Sequence, residues 1–297
     1  MSTPSLILHL GPPKTATTTL QRHVFPQLNF IDYRGKFDHR YLSHDPLYIA
    51  LYQYVVDGKG SLEAIRERIQ NALATATHPI LLSEENWTKG TFQPGGQLSK
   101  EKIHRLHQAT SGFNVLVLYA LRPMKEASFS AFVQFQAMHE KTPQPIAQLI
   151  AQSDALFPYR YHEARTLLDE FWPQRVFPLD FYELAKGKIE FPGFQHHAAS
   201  LPQSNRTGIA SGGAIAHIVR KRYFAQIAER IAPIWPKLAQ AMWQINYVEK
   251  VFVPNWTAEQ LESVKHTIAA SDEAREQWLS DARRWIWTEN GLQTPND

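Results

Sequence analysis

Lys14 stands three residues after Gly11 and is followed by threonine at positions 15, 17, 18 and 19. A lysine among hydroxyls, just past a glycine turn, is a set of groups for holding an anion. The ammonium supplies charge, the threonines supply donors, and backbone N–H groups at a turn that opens into a helix point outward. A second cation, Arg122, follows another apolar run, and Ser130 lies eight residues further on. An arginine leaving the C-terminal end of a central strand stands where open α/β sheets bind ligands, and its planar fork suits a phosphate. Two adjacent carboxylates, Glu84 and Glu85, end a third apolar run.

These groups need a sheet to bring them together. Leu6–Leu10, Ile80–Ser83, Asn114–Leu121 and Arg175–Leu179 read as buried strands, with a weaker fifth at Asn29–Tyr33. Helical patterns lie between them at Thr17–Phe25, Pro46–Val56, Ser61–Ala74, Ser99–Thr110, Lys125–His139, Pro145–Gln152 and Tyr161–Phe171. Strand and helix in alternation predict an α/β fold with a parallel central sheet flanked by helices. Phe191–Ile209 reads as a long loop. Beyond it the pattern predicts a helical C-terminal third, with helices over Gly213–Ile231, Trp235–Tyr247, Thr257–Ala269 and Asp272–Trp287. Thr257 and Ser271 are the expected N-caps of the last two. One domain is expected over 1–297, with an α/β nucleotide-binding core over 1–210 and a helical layer over 211–297.

The loop does not fit the nucleoside-triphosphate pattern G-x-x-x-x-G-K-[ST], because Gly11 to Lys14 is too short and no second glycine precedes the lysine. Pro13-Lys14-Thr15-Ala16-Thr17-Thr18 resembles instead the loop of sulfotransferases that use 3′-phosphoadenosine-5′-phosphosulfate (PAPS), which reads P-K-[ST]-G-T-T; Ala16 stands in place of the glycine. The family's second motif, R-[DN]-P-x-x-R-x-x-S, is matched by Arg122 to Ser130 with the spacing kept, the proline one position early and Ala127 in place of the second arginine.

The resemblance covers about residues 6 to 210 and implies a P-loop-type sulfotransferase fold. It implies that Gly11, Pro13, Lys14, Thr15, Ala16, Thr17 and Thr18 hold the 5′-phosphosulfate. Arg122, Ser130 and, from the late loop Ser204–Gly208, Arg206 would hold the 3′-phosphate. The family takes its general base from a Glu or His near the sheet edge. Glu84 is the first choice, Glu85 the second and His39 the alternative. PAPS is then the expected co-substrate, 3′,5′-adenosine bisphosphate the product, and no metal is expected. The rival reading is a P-loop kinase, with Leu82-Ser83-Glu84-Glu85 supplying a carboxylate for Mg²⁺. A binding protein of the same fold without turnover is a third.

Composition sets outer limits. The chain has 297 residues, 43% of them hydrophobic and 20% charged, which is ordinary for a globular protein with a sizeable core. It has no cysteine, so disulfides and thiolate metal sites are excluded. A net charge of +3 favours anionic ligands only weakly and is far from a nucleic-acid signature. No leader pattern and no membrane-length apolar run is found, so a cytoplasmic location is expected. His104, His107, His196 and His197 read as surface residues, not metal ligands. Trp278, Trp285 and Trp287 read as core, although an aromatic cleft would suit a small-molecule or glycan acceptor, the class favoured here.

Overall fold

The computed structural model describes residues 5–36, 45–90, 98–139, 154–191, 194–197, 208–209, 214–221, 247–254, 257–283, 286–288 and 291–293. The expected helix Pro145–Gln152 and the candidate site residues His39 and Arg206 lie outside them.

Five parallel strands form the central sheet in the order β2-β3-β1-β4-β5: β1 (Leu6–Leu10), β2 (Asp32–Tyr33), β3 (Ile80–Ser83), β4 (Val115–Leu121) and β5 (Val176–Asp180). Every residue of β1, β3 and β4 is buried. That is why these strands read as continuous apolar runs: helices cover both faces of a parallel sheet. The pleat divides the side chains. Leu6, Leu8, Leu10, Leu82 and Tyr119 pack on one face with Leu51, Leu106 and Trp278. Ile7, Leu81 and Leu118 pack on the other with Leu20 and Phe25. Trp278 is fully buried and stacks on Tyr119 at 5.4 Å, so it is core.

Most helices begin where their caps predict. α2 (Pro46–Val55) has proline in its first turn and the Asp45 carboxylate on the Tyr48 amide at 2.9 Å. α3 (Leu62–Thr75) is capped by Ser61 on Ala64 N. α4 (Ser99–Thr110) borrows its cap from a distance, with Asp154 Oδ2 accepting from Ser99 N at 2.7 Å. α5 (Met124–His139) and α6 (Tyr161–Phe171) follow their predicted bounds to within one residue. α7 (Phe181–Ala185) is a short turn after β5.

Several sequence expectations are corrected. The helix expected over Thr17–Phe25 is only three residues long as α-helix, α1 (Thr17–Thr19). It widens into a π-turn (Leu20–Val24) and then tightens to a 3₁₀ turn (Phe25–Gln27) at Pro26, which has no N–H to continue a ladder. The strand expected at Asn29–Tyr33 is reduced to Asp32–Tyr33.

The helical C-terminal third is only partly helical. Ala214–Lys221, inside the helix expected over Gly213–Ile231, is a strand paired antiparallel with Tyr247–Pro254, and Ile286–Thr288 is also a strand; the helix expected over Trp235–Tyr247 lies outside the described residues but for Tyr247. Ile215, Ile218 and Val219 satisfy helical spacing, but β-branched residues also favour strands, and the partner Val248-Val251-Phe252-Val253 supplies the ladder. The last two expected helices are one continuous helix, α8 (Ala258–Arg283). Ser271, expected to start a helix, instead donates to Tyr159 O and accepts from Tyr161 N. Asp272 accepts from Met124 N at 2.6 Å and so caps α5 from across the molecule. Among the described residues no helix is long and apolar enough to cross a membrane.

Parallel pairing has one consequence for chemistry. Leu10 is opposite Tyr119, His9 is opposite Ser83, and Leu121 is opposite Asp180. The chain therefore leaves one edge of the sheet four times side by side, at Gly11, Glu84, Arg122 and Phe181.

Candidate functional site

The loop after β1 is held by its carbonyls. Pro12 O accepts from Thr15 Oγ1 at 2.7 Å, Pro13 O from the Tyr159 hydroxyl at 2.5 Å, and Lys14 O from Arg122 at 3.0 Å. Gly11 O lies 3.4 Å from the Thr88 hydroxyl, a longer contact. Ala16 O takes the amides of Thr19 and Leu20. With the acceptors turned into the protein, the backbone amides from Thr15 to Thr18 have no acceptor among the described residues. Each N–H is an obligatory donor, so the loop leaves these donors for an acceptor from outside the described residues.

Lys14 and Ala16 both have positive φ, 72° and 67°. Left-handed residues in alternation with ordinary ones make the kind of nest that gathers N–H groups around an anion. α1 is too short for a helix dipole to matter; the amides and Lys14 carry the attraction. Gly11 is required by packing, because a Cβ there would lie 2.2 Å from Thr17 Cγ2.

Lys14 is half-buried, and burial pushes its ammonium pKa down while nearby Glu85 pulls it up; Arg122 and Lys89 push it down further. The Thr17 hydroxyl donates to Glu85 Oε2 at 3.0 Å, tying the first loop to the end of β3. Thr18 is half-buried, with no side-chain partner among the described residues. Beneath the loop lies a buried polar relay. His9 Nδ1 is 2.7 Å from Ser83 Oγ, and Gln21 Nε2 donates to Ser83 Oγ and O. Full burial lowers the His9 pKa to about 3, so the ring is neutral and adds no charge to the site.

Glu84 and Glu85 have different surroundings. Glu84 is fully buried; Lys36 Nζ lies 2.6 Å from its Oε2, which also accepts from the Tyr48 hydroxyl, and Asn86 N donates to Oε1 at 2.8 Å. Burial and then the Glu84 charge push the Tyr48 phenol far up and the Tyr52 phenol up to about 12. Glu85 is half-buried, beside Thr17 and Lys14.

Arg122 straps two elements together. One donor holds Lys14 O; Nε and the other terminal nitrogen reach Glu126 Oε2 at 3.2 Å, and the guanidinium lies 4.5 Å from the centre of the Phe181 ring. Tyr161 fixes its backbone by donating to Arg122 O and accepting from Arg122 N. The first loop and the start of the second motif are thus joined directly, by the hydrogen bond from Arg122 to Lys14 O. Ser130 lies two helical turns along α5, half-buried and without a partner among the described residues. Ala127, in the place of the second motif arginine, is fully buried.

Residues that sequence reasoning missed are the fasteners: Thr88, Tyr159, Tyr161 and Gln21. Their partners are 77, 146, 39 and 62 residues away, and no local pattern announces such contacts. His107 stacks on Phe171 at 4.6 Å, and the described residues hold no cluster of three or more potential metal ligands.

No family profile matches the chain, and no curated protein matches it. Among solved structures it is similar to a sulfotransferase from Alicyclobacillus acidocaldarius, with 11% identity and a TM-score of 0.44 over 94% of this chain and 97% of that one.

Proposed function

We propose that the chain is a PAPS-dependent sulfotransferase acting on a hydroxyl acceptor, with a carbohydrate or another small molecule as the acceptor class. The observation that carries this reading is the inverted loop: carbonyls fastened inward, amides from Thr15 to Thr18 open, and Lys14 and Arg122 joined beside them. The residues present fit a nucleotide with anionic groups at both ends. The amides and Thr18 would hold the 5′-phosphate, with Lys14 set against the charge that develops on its oxygen. Arg122 and Ser130 are on the side for the 3′-phosphate, and Arg206 stays a proposed contact from outside the described residues.

The co-substrate supplies the sulfuryl group. The acceptor oxygen forms a bond to sulfur as the bond from sulfur to the 5′-phosphate oxygen breaks, with the two oxygens in line, as in the analogous phosphoryl transfer. Most of the catalysis is positioning and charge stabilisation. The hydroxyl proton needs a base. Of the two candidates at the end of β3 we assign Glu85, because both Glu84 oxygens are occupied inside the protein.

Transfer of labelled sulfate from PAPS to a panel of hydroxyl acceptors tests the reading, with Lys14→Ala as the decisive variant. Removing one preorganised donor to the transition state costs about 10²–10³-fold in turnover, and that loss is expected here. Unchanged turnover in Lys14→Ala overturns the assignment. Thermal shift with ATP and Mg²⁺ in place of PAPS separates the kinase alternative.

A further inference from the structure

Glu126 is held like a ligand. Arg122 grips its Oε2 with two nitrogens at 3.2 Å, and the Tyr182 hydroxyl donates to its Oε1 at 2.7 Å. Two donors from two different elements, the ends of β4 and β5, thus converge on one carboxylate at the surface. The Glu126 side chain is 43% exposed and that of Arg122 21%.

The mounting of these donors is firmer than their grip. The third Arg122 nitrogen is turned inward on Lys14 O, and the guanidinium carbon lies over the Phe181 ring. Tyr182 N is held by Asp180 Oδ1 at 2.9 Å, and Asp180 is in turn paired at 2.8 Å with Arg275, whose side chain is only 4% exposed. The donors are therefore preorganised, while the acid they hold is on a solvent-facing side chain. An exposed ion pair of this kind contributes little. A phosphate monoester carries about −1.5 to −2 charges at pH 7 and offers three acceptor oxygens, so it competes well against one carboxylate.

We propose that Arg122 and Tyr182 form a two-donor oxyanion subsite, that the Glu126 carboxylate occupies it in the free protein, and that the 3′-phosphate of the nucleotide displaces Glu126. Tyr182 is then a ligand-binding residue, and Glu126 is a built-in competitor that lowers affinity for the bisphosphate product and eases its release. This inference rests on the nucleotide reading above.

Calorimetric titration of the full chain with 3′,5′-adenosine bisphosphate and with adenosine 5′-monophosphate tests it. Glu126→Gln keeps the shape and removes the competing charge. It is expected to tighten the bisphosphate by about two- to fivefold, the worth of an exposed ion pair, and to leave the monophosphate unchanged. Tyr182→Phe is expected to weaken the bisphosphate by about tenfold, the scale of a hydrogen bond to a charged group, again sparing the monophosphate. If both nucleotides bind but Glu126→Gln changes neither, or shifts both alike, the subsite is overturned and the nucleotide reading stands. If the unaltered chain binds neither nucleotide, the nucleotide reading falls and the subsite with it.

Discussion

Two lysine–glutamate combinations lie at the same edge of the sheet, and they have opposite surroundings. Lys36 and Glu84 are 2.6 Å apart, with side chains 8% and 0% exposed, and a tyrosine hydroxyl completes the pair. Lys14 and Glu85 are near enough to feel each other's charge, yet among the described residues neither is in an ion pair. A charge taken out of water is costly unless it is paired. The first pair settles that cost internally and has nothing left to offer. The second leaves a partly desolvated ammonium and a half-buried carboxylate beside the loop, with no ion pair among the described residues to offset that cost. Residue type does not separate the two; burial and pairing do.

The comparison is broken most sharply at Glu85. Loss of a general base costs about 10²–10⁴-fold in kcat, and that is the expectation for Glu85→Gln, together with loss of the base-dependent limb of the pH profile. Its folding stability should move by less than about 0.5 kcal/mol, as for a substitution that removes no buried contact. Turnover on the labelled-PAPS assay and a melting curve on the same preparation read both quantities. Turnover as high as in the unaltered chain would erase the functional difference between the two glutamates.

That difference was not legible in the sequence, from which Glu84 reads as the first choice of base and Glu85 as the second. What separates them is Lys36, 48 positions before Glu84, and Tyr48, 36 positions before it. The strands were legible because a sheet covered on both faces needs continuous apolar runs, and Leu6–Leu10, Ile80–Ser83 and Val115–Leu121 are such runs. Lys14, Thr17 and Arg122 were legible because their chemistry and their position at strand ends are both local. The ladder between Ala214–Lys221 and Tyr247–Pro254 was misread because its partners lie far apart in the chain, while Ile215, Ile218 and Val219 fit a helix equally well. The clamps on the loop carbonyls are non-local in the same way.

Lys36→Met tests the sealed pair. It leaves the buried Glu84 carboxylate without its cation, and breaking a buried pair from one side costs about 3–5 kcal/mol. For a chain of this size that is a drop of about 5–8 °C in Tm. Turnover per folded molecule should stay close to normal, the reverse of Glu85→Gln. The double variant Lys36→Met/Glu84→Leu should recover much of the loss, since replacing both members with apolar side chains removes the orphaned charge. A single variant that melts with the unaltered chain would show that the pair is not sealed.

The smallest effect is expected at Ala16, where the loop departs from the glycine of the pattern it resembles. Its φ of 67° places a Cβ in the left-handed region, at a cost of about 1–2 kcal/mol. Ala16→Gly removes that cost but gives the unfolded chain more freedom, worth about 0.4–1 kcal/mol in the other direction. The net expectation is a stabilisation of about 0.5–1 kcal/mol, read as a small rise in Tm. The change acts on the loop beside Lys14, the open side of the comparison. A fall in Tm would mean that the methyl group is held by packing that outweighs its strain, and that the nest is shaped by its surroundings more than by its own backbone.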